Sequence, residues 1–106
     1  MIGIRSIASY IPEGRVDNIA QAESFGRDAE FVQNKLGTTT LAIKADDEET
    51  SDLCVRAVHN LLAKNVDLKL EDVQALVVVT QNGDAEGLPH TSAIVQHKLG
   101  LPTHAA

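Results

Sequence analysis

An unbroken apolar run at Ala75–Val79 constrains the fold of this chain more than any other feature. A short run rich in β-branched residues is typical of a central strand buried on both faces, as in parallel or mixed sheets covered by helices. Such a strand needs neighbours, and only residues 2–11 and the short stretch 38–43 also have strand character. We therefore predict a sheet that these residues do not complete.

Helical segments alternate with the predicted strands. A helix is predicted from Thr50 or Ser51, as its N-cap, to about Lys64, and a second from Pro89 to Leu99 with Gly100 just past its end. Two shorter helices are predicted at 18–25 and 28–36, with Asp28 as the N-cap of the second and Gly37 after its end. The alternation predicts an α/β fold with helices on both faces of a mixed sheet. One face of the helix at 50–64 is an apolar stripe of Leu53, Ala57, Val58, Leu61 and Leu62.

Composition and charge exclude several classes of function. The chain has 106 residues, 43% hydrophobic and 23% charged, which is ordinary for one folded domain. Its net charge of −6 predicts no nucleic-acid partner, because phosphate binding requires a surface rich in Lys and Arg. No apolar run approaches the ~20 residues that cross a bilayer, and no secretory signal is evident. With a single cysteine, the chain is predicted to be cytoplasmic.

No self-contained catalytic or metal site is predicted. Cys54 lies about one turn into a helix, beside its apolar stripe, so we interpret it as a buried small hydrophobe and not as a nucleophile. His90 and His97 lack the i, i+3 or i+4 spacing of a metal pair, and the acidic run 46–49 lacks the pattern of a calcium loop. Residues 81–84 follow the apolar run, where open α/β sheets place ligand-binding loops, but an ordinary turn fits them equally well.

Five stretches of sequence, taken in order, carry a resemblance to a known family. Their order and spacing match along essentially all 106 residues, and the chain resembles the N-terminal region of β-ketoacyl-acyl-carrier-protein synthase III, a condensing enzyme of the thiolase fold. The resemblance implies that residues 1–106 form the N-terminal portion of a layered αβα domain, with the catalytic nucleophile beyond the C-terminal end. The stretches are Gly3–Glu13, Asp28–Val32 with Leu36-Gly37, Glu49–Leu53, Leu76–Thr80, and Leu88–Ala93 leading to Lys98–Leu101.

The resemblance also implies an activity. In that family a cysteine takes an acyl group from acyl-coenzyme A, and a His and an Asn then help decarboxylate malonyl-carrier protein so that the carbanion attacks the thioester. None of the three matches a residue of this sequence, and Cys54 matches a scaffold position. The implied protein is a homodimeric acyltransferase of fatty acid biosynthesis with no permanently bound cofactor. Its partners are the remainder of its own polypeptide and an acyl-carrier protein that docks outside this segment, which alone would be inactive.

Four residues match functional positions of the family. Phe31 matches an aromatic residue, usually Trp, that stacks on the coenzyme A adenine, and Lys35 matches a basic residue, usually Arg, near the nucleotide's phosphates. Arg27, one turn before Phe31, would add charge there. Leu88 matches a residue that, in the family dimer, reaches the partner subunit's acyl tunnel and helps set the length of the acyl chain. Structural roles stay open for all four: a helix anchor for Phe31, an apolar contact for Leu88, and surface charge for the other two.

The stretch 37–40 (Gly-Thr-Thr-Thr) departs from the family pattern, which has Gly-Ile-Arg followed by charged residues. Together with the replaced Trp and Arg, this leaves open a divergent thiolase-fold acyltransferase of specialised metabolism with another acyl donor. A third alternative is a free-standing α/β interaction module, which predicts a monomer that unfolds cooperatively.

Overall fold

The computed structural model describes residues 2–106, which form two compact units. One unit comprises residues 11–46, and the other comprises residues up to Tyr10 together with residues 47–106. The sequence expectations can be compared with each unit separately.

In the unit of residues 11–46, two helices lie, in chain order, between the two strands of an antiparallel pair. Strand β1, Gly14–Asp17, pairs with β2, Thr40–Ile43. Helix α1 spans Asn18–Ser24, and α2, Ala29–Phe31, continues as a π-helical segment, Val32–Leu36. The predictions of two short helices here and of a strand within 38–43 are confirmed.

Local sequence signals set the ends of these short helices. The Asp28 carboxylate accepts a hydrogen bond from the Phe31 N–H at 2.8 Å, as its predicted N-cap role requires. Gly37 ends the π-helical segment with φ 71°, a left-handed conformation that favours glycine. Val32 is fully buried, so it anchors this segment to the core of the unit.

The other unit is built on two packed helices, α3 at Thr50–Lys64 and α4 at Thr91–Leu99. Short 3₁₀ turns lie at Leu70–Asp72 and Ala85–Gly87. All five residues of the predicted α3 stripe are half-buried. Helix α4 begins two residues later than predicted. It ends at Leu99 and is followed by Gly100, whose φ is 66°. The buried centre of this unit is formed by Val95, Leu99 and Leu101, with Cys54, Leu76 and Val78 packed against it.

The predicted N-cap of α3 was wrong. Glu49 is the cap, and the Asp52 carboxylate accepts its backbone N–H at 2.9 Å in a capping box. Thr50 and Ser51 lie in the first turn, where their hydroxyl groups bond to other segments. A hydroxyl with a more distant partner is not available to the adjacent backbone.

The predicted strands at 2–11 and 75–79 carry no strand ladder among residues 2–106, where the antiparallel pair β1–β2 is the ladder that forms. Residues 2–10 instead contact α3 through polar groups: Asn60 donates to the Ser9 carbonyl at 2.9 Å, and Asn65 to the Ser6 hydroxyl at 2.8 Å. A ladder requires a neighbouring strand in register, and apolar composition alone does not supply one.

The apolar run Ala75–Val79 is buried on one face, not on both as predicted. Leu76 and Val78 are half-buried against the helices, whereas Val77 is 82% and Val79 93% exposed. Alternate residues of an extended chain point to opposite faces, which explains this pattern. The result is an apolar surface that residues 2–106 leave uncovered, in agreement with a sheet that these residues do not complete.

A single backbone bridge shows how this run can pair. The Ala106 N–H donates to the Gln74 carbonyl at 2.9 Å, and the Ala106 carbonyl accepts the Leu76 N–H at 2.8 Å. Bonds from one residue to the two neighbours of its partner are the pattern of parallel strands. Ala75 is therefore paired with Ala106 in parallel geometry.

Candidate functional site

The residues matched to a nucleotide site surround Phe31. A cavity of about 330 Å³ lies beside α1 and α2, and its lining includes Phe25, Arg27, Phe31 and Leu36. The Arg27 guanidinium carbon lies 5.1 Å from the centroid of the Phe31 ring, which is cation–π geometry. The half-buried Phe31 ring is therefore held by a cation on one side of a largely apolar groove.

A second depression, of about 230 Å³, borders the same ring. It is lined by Asp28, Glu30, Phe31, Asn34 and Lys35. Lys35 thus lines one depression and Arg27 the other, with Phe31 shared by both. The three predicted residues are brought together, and both cations are exposed. Lys35 shares its depression with two carboxylates, so the positive charge on that side is partly offset.

The structural alternative for Phe31 is weakened by its neighbour. Val32 is fully buried and anchors the segment, whereas the Phe31 ring is only partly covered. A sequence-based search missed Phe25, which lines the larger cavity and is 76% exposed. Its signal was available: an aromatic residue at the end of a short predicted helix, in a chain with 3% aromatic residues. Exposed aromatic side chains are frequent at binding surfaces.

Leu88 lies at the end of a loop with an unusual backbone. The preceding residues Ala85, Glu86 and Gly87 have φ values of 46°, 60° and 92°, in the left-handed region. Two of the three carry a Cβ atom, which makes this conformation costly. The Leu88 side chain is 74% exposed. The predicted fourth site residue is therefore an apolar side chain presented to solvent by a strained turn.

The loop before Leu88 also borders a cavity. Residues 78–92 surround about 350 Å³, with polar lining groups that include Thr80, Gln81, His90 and Thr91. This is the position after the apolar run at which the sequence left open either a ligand-binding loop or an ordinary turn. Gln81 and Gly83 line it, whereas Leu88 does not.

A buried carboxylate that the sequence search did not single out fixes this loop. Asp84 is 4% exposed, and its two carboxylate oxygens accept the Ser51 N–H at 2.9 Å and the Ser51 hydroxyl at 2.5 Å. Its own N–H donates to the Thr91 hydroxyl at 3.1 Å. Lys98 donates to the Ser51 hydroxyl at 2.7 Å and to the Asp52 carboxylate at 2.7 Å. The network joins the loop to both ends of α4 and to the start of α3.

Two side chains in α3, those of Asp52 and Cys54, have shifted pKa values. The hydrogen bond from Lys98, followed by that from the Glu49 N–H, holds the pKa of Asp52 below its ordinary value of 3.8. Burial, with a smaller contribution from the negative charge of Asp84, raises the pKa of the Cys54 thiol. A raised thiol pKa disfavours the thiolate, so Cys54 is poorly suited to be a nucleophile, as its sequence position predicted.

Replacing Asp52 with Asn should make the melting temperature depend less on pH in the acid range. A carboxyl whose pKa is lower when folded contributes stability that is present above its unfolded pKa, near 3.8, and lost as pH falls through the folded value. We expect the melting temperature of Asp52→Asn to be lower than that of wild type at pH 6, with the difference shrinking below about pH 4. The contribution is small, because the side chain is 33% exposed.

Thermal unfolding at stepwise pH checks this prediction, with Asp47→Asn as the matched control, since Asp47 is an exposed carboxyl just before α3. A difference between wild type and Asp52→Asn that stays constant from pH 6 to pH 2 would show that Asp52 does not titrate with folding.

Within residues 2–106, no helix is long and apolar enough to span a bilayer. The same residues contain no group of three or more His, Cys, Asp or Glu side chains arranged to hold a metal ion.

Comparisons with known proteins give a consistent result, although no family model matches the chain. β-Ketoacyl-[acyl-carrier-protein] synthase III of Neisseria gonorrhoeae is 34% identical over 98 residues, which is 92% of this chain and 30% of that protein. β-Ketoacyl-[acyl-carrier-protein] synthase III 2 of Halalkalibacterium halodurans is 32% identical over 103 residues, 97% of this chain and 30% of that protein. The chain therefore spans about 30% of the length of the curated relatives it matches.

The solved structures that match this chain include a synthase III. The synthase III structure from Thermus thermophilus superposes with a TM-score of 0.79 at 36% identity, over 94% of this chain and 30% of that one. Xanthomonas campestris OleA superposes with a TM-score of 0.74 at 18% identity, a level that shows a shared fold only. The chain has the fold of the matching part of these thiolase-fold proteins.

Proposed function

Because this chain is related over more than nine-tenths of its length to β-ketoacyl-acyl-carrier-protein synthase III, we propose that it is the N-terminal part of an acyltransferase of that type. The complete enzyme would condense an acyl thioester with malonyl-carrier protein, releasing carbon dioxide, in fatty acid biosynthesis. The observation that carries the proposal is the joint match in sequence and fold, 36% identity with a TM-score of 0.79. Fold alone would not support an activity.

The groove at Phe31 supports a contact with the nucleotide of acyl-coenzyme A. A purine base can stack on the Phe31 ring, where every base presents a π-face, with Phe25 enlarging the apolar wall. Arg27 and Lys35 each line one of the two depressions that the Phe31 ring borders and are exposed, so each can approach phosphate oxygens. We propose that this segment contributes one margin of the coenzyme A site.

We propose that the chemistry itself comes from residues outside this segment. The one thiol here, Cys54, has a raised pKa and lies inside α3, away from the helix N-terminus where a thiolate would be stabilised. The complete protein is proposed to be a cytoplasmic homodimer in which Leu88 borders the partner subunit's acyl tunnel. Acyl-carrier protein would dock elsewhere, because its acidic surface requires a basic patch and this chain has a net charge of −6.

The test compares the complete polypeptide with residues 1–106. Incubated with acyl-coenzyme A and malonyl-carrier protein, the complete protein should release carbon dioxide and form 3-oxoacyl-carrier protein, whereas residues 1–106 should do neither. Cys54→Ala in the complete protein should keep at least about half of the activity. Turnover by residues 1–106 alone, or loss of acyl transfer in Cys54→Ala, would refute the proposed division of roles.

One alternative is favoured by specific residues. Phe31 and Lys35 replace the family's usual Trp and Arg, and the exposed stretch 37–40 lacks the usual Arg. A divergent acyltransferase with another acceptor would transfer acyl groups without releasing carbon dioxide from malonyl-carrier protein, and one with another donor would take no acyl group from acyl-coenzyme A. The same assay therefore separates the two. The third candidate, a free-standing interaction module, is disfavoured by the exposed Val77 and Val79.

A further inference from the structure

We propose that Asp84 is a positioning residue that holds the loop 85–88, and with it Leu88, in place at the border of the acyl tunnel. The inference rests on the proposed function, in which Leu88 borders the partner subunit's acyl tunnel, and on the chain-length role that the family resemblance implies for Leu88. It assigns control of that length to a carboxylate that touches neither the substrate nor the reacting atoms.

Asp84 is anchored by a network of hydrogen bonds. Asp84 is buried, and both of its carboxylate oxygens are engaged by Ser51, one by the N–H and one by the hydroxyl. Its backbone N–H is fixed by the Thr91 hydroxyl, and Lys98 holds the Ser51 hydroxyl from the far end of α4. Breaking a buried network of this kind leaves polar groups unsatisfied, so its geometry is well determined.

Asp84 supports the turn formed by residues 85–87. Residues 85–87 all have positive φ, and the hydrogen bonds of the turn start at the anchor: the Gly87 N–H donates to the Asp84 carbonyl at 2.8 Å. Strained backbone persists only where the surroundings over-determine it. Asp84 is the buried end of this turn, and Leu88, 74% exposed, is the end that would meet the acyl chain.

The position of the loop determines which lengths of acyl chain are accepted. Selection between acyl chains that differ by a few methylene groups requires an apolar wall that does not yield. If Asp84 releases the turn, Leu88 can move aside, and longer chains are accepted. The expected signature is a changed chain-length preference with the chemical step retained.

The experiment compares Asp84→Asn, Ser51→Ala and Leu88→Ala in the complete protein, with Asp72→Asn as the matched control because that carboxyl is exposed. The readout is kcat/KM over a series of acyl-coenzyme A donors of increasing length. In the first three variants, the preference for the best donor over the next longer one should fall about tenfold, and in Asp84→Asn and Ser51→Ala kcat for the best donor should stay within about threefold. Asp72→Asn should match wild type.

Amide hydrogen exchange provides a readout that is independent of activity. Exchange at Gly87 and Leu88 should be about tenfold faster in Asp84→Asn and Ser51→Ala, with the middle of α3 unchanged. Unchanged loop exchange overturns the inference, as does a lower melting temperature with an unaltered chain-length preference. If wild type transfers no acyl group, the proposed function fails, and loop exchange still decides whether Asp84 anchors the turn.

Discussion

Phe31→Ala in the complete protein is expected to raise KM for acyl-coenzyme A about tenfold and to leave kcat within about twofold. Stacking of a base on an aromatic side chain contributes about 1–3 kcal/mol, and this contact would be made equally in the ground state and the transition state. The fold should tolerate the change, because Val32, not Phe31, is the buried anchor of the segment.

Steady-state kinetics with acyl-coenzyme A checks this prediction, and two variants sharpen it. Phe31→Trp, with a larger ring, should lower KM below that of wild type. Phe25→Ala removes the other aromatic side chain of the cavity and should raise KM less than Phe31→Ala. If both alanine variants keep the wild-type KM, the nucleotide does not bind at this groove.

Val79→Lys is expected to be strongly destabilising in one context and nearly neutral in another. In the complete protein it should lower the free energy of unfolding by about 3 kcal/mol, because a covered apolar position would have to accommodate a charge. In residues 1–106 alone it should change stability by less than about 0.5 kcal/mol, because the side chain is 93% exposed there.

Urea unfolding of both proteins measures the two changes. Val66→Lys is the matched control, since Val66 is 94% exposed in the turn after α3 and outside the apolar run. It should have little effect in either context. A complete protein in which Val79→Lys is as stable as wild type would mean that nothing covers this face of the run.

Local signals in the sequence predicted the helices well. The apolar stripe of α3, the Asp28 cap and the left-handed glycines Gly37 and Gly100 all act through residues within a few positions of one another. The cap of α3 was assigned one or two residues too late because Thr and Ser are preferred N-cap residues, whereas here the Thr50 hydroxyl donates to the Asn82 carbonyl. Competition from a distant partner is not visible in a short window.

Strands and the Asp84 network were less predictable for the same reason. Ala75–Val79 has strand composition, but a ladder depends on a neighbouring strand, and among residues 2–106 the backbone partner of the run is Ala106. Asp84 stands in an ordinary turn sequence, and its partner Ser51 is 33 residues away. In the candidate site, the resemblance led to Phe31, Lys35 and Arg27, which lie together, but not to Phe25, whose exposure depends on how α1 ends.

The bridge between Ala106 and Ala75 has a consequence for the order of folding. Its two sides are far apart in sequence and meet after the chain has passed through α4. Closing a long loop costs entropy in both cases, but docking of α4 on α3 buries apolar side chains, whereas the bridge forms only two backbone hydrogen bonds. We expect docking of α4 on α3 to act as the nucleus, which would make Val95, at its buried centre, a stronger determinant of the refolding rate than the bridge itself.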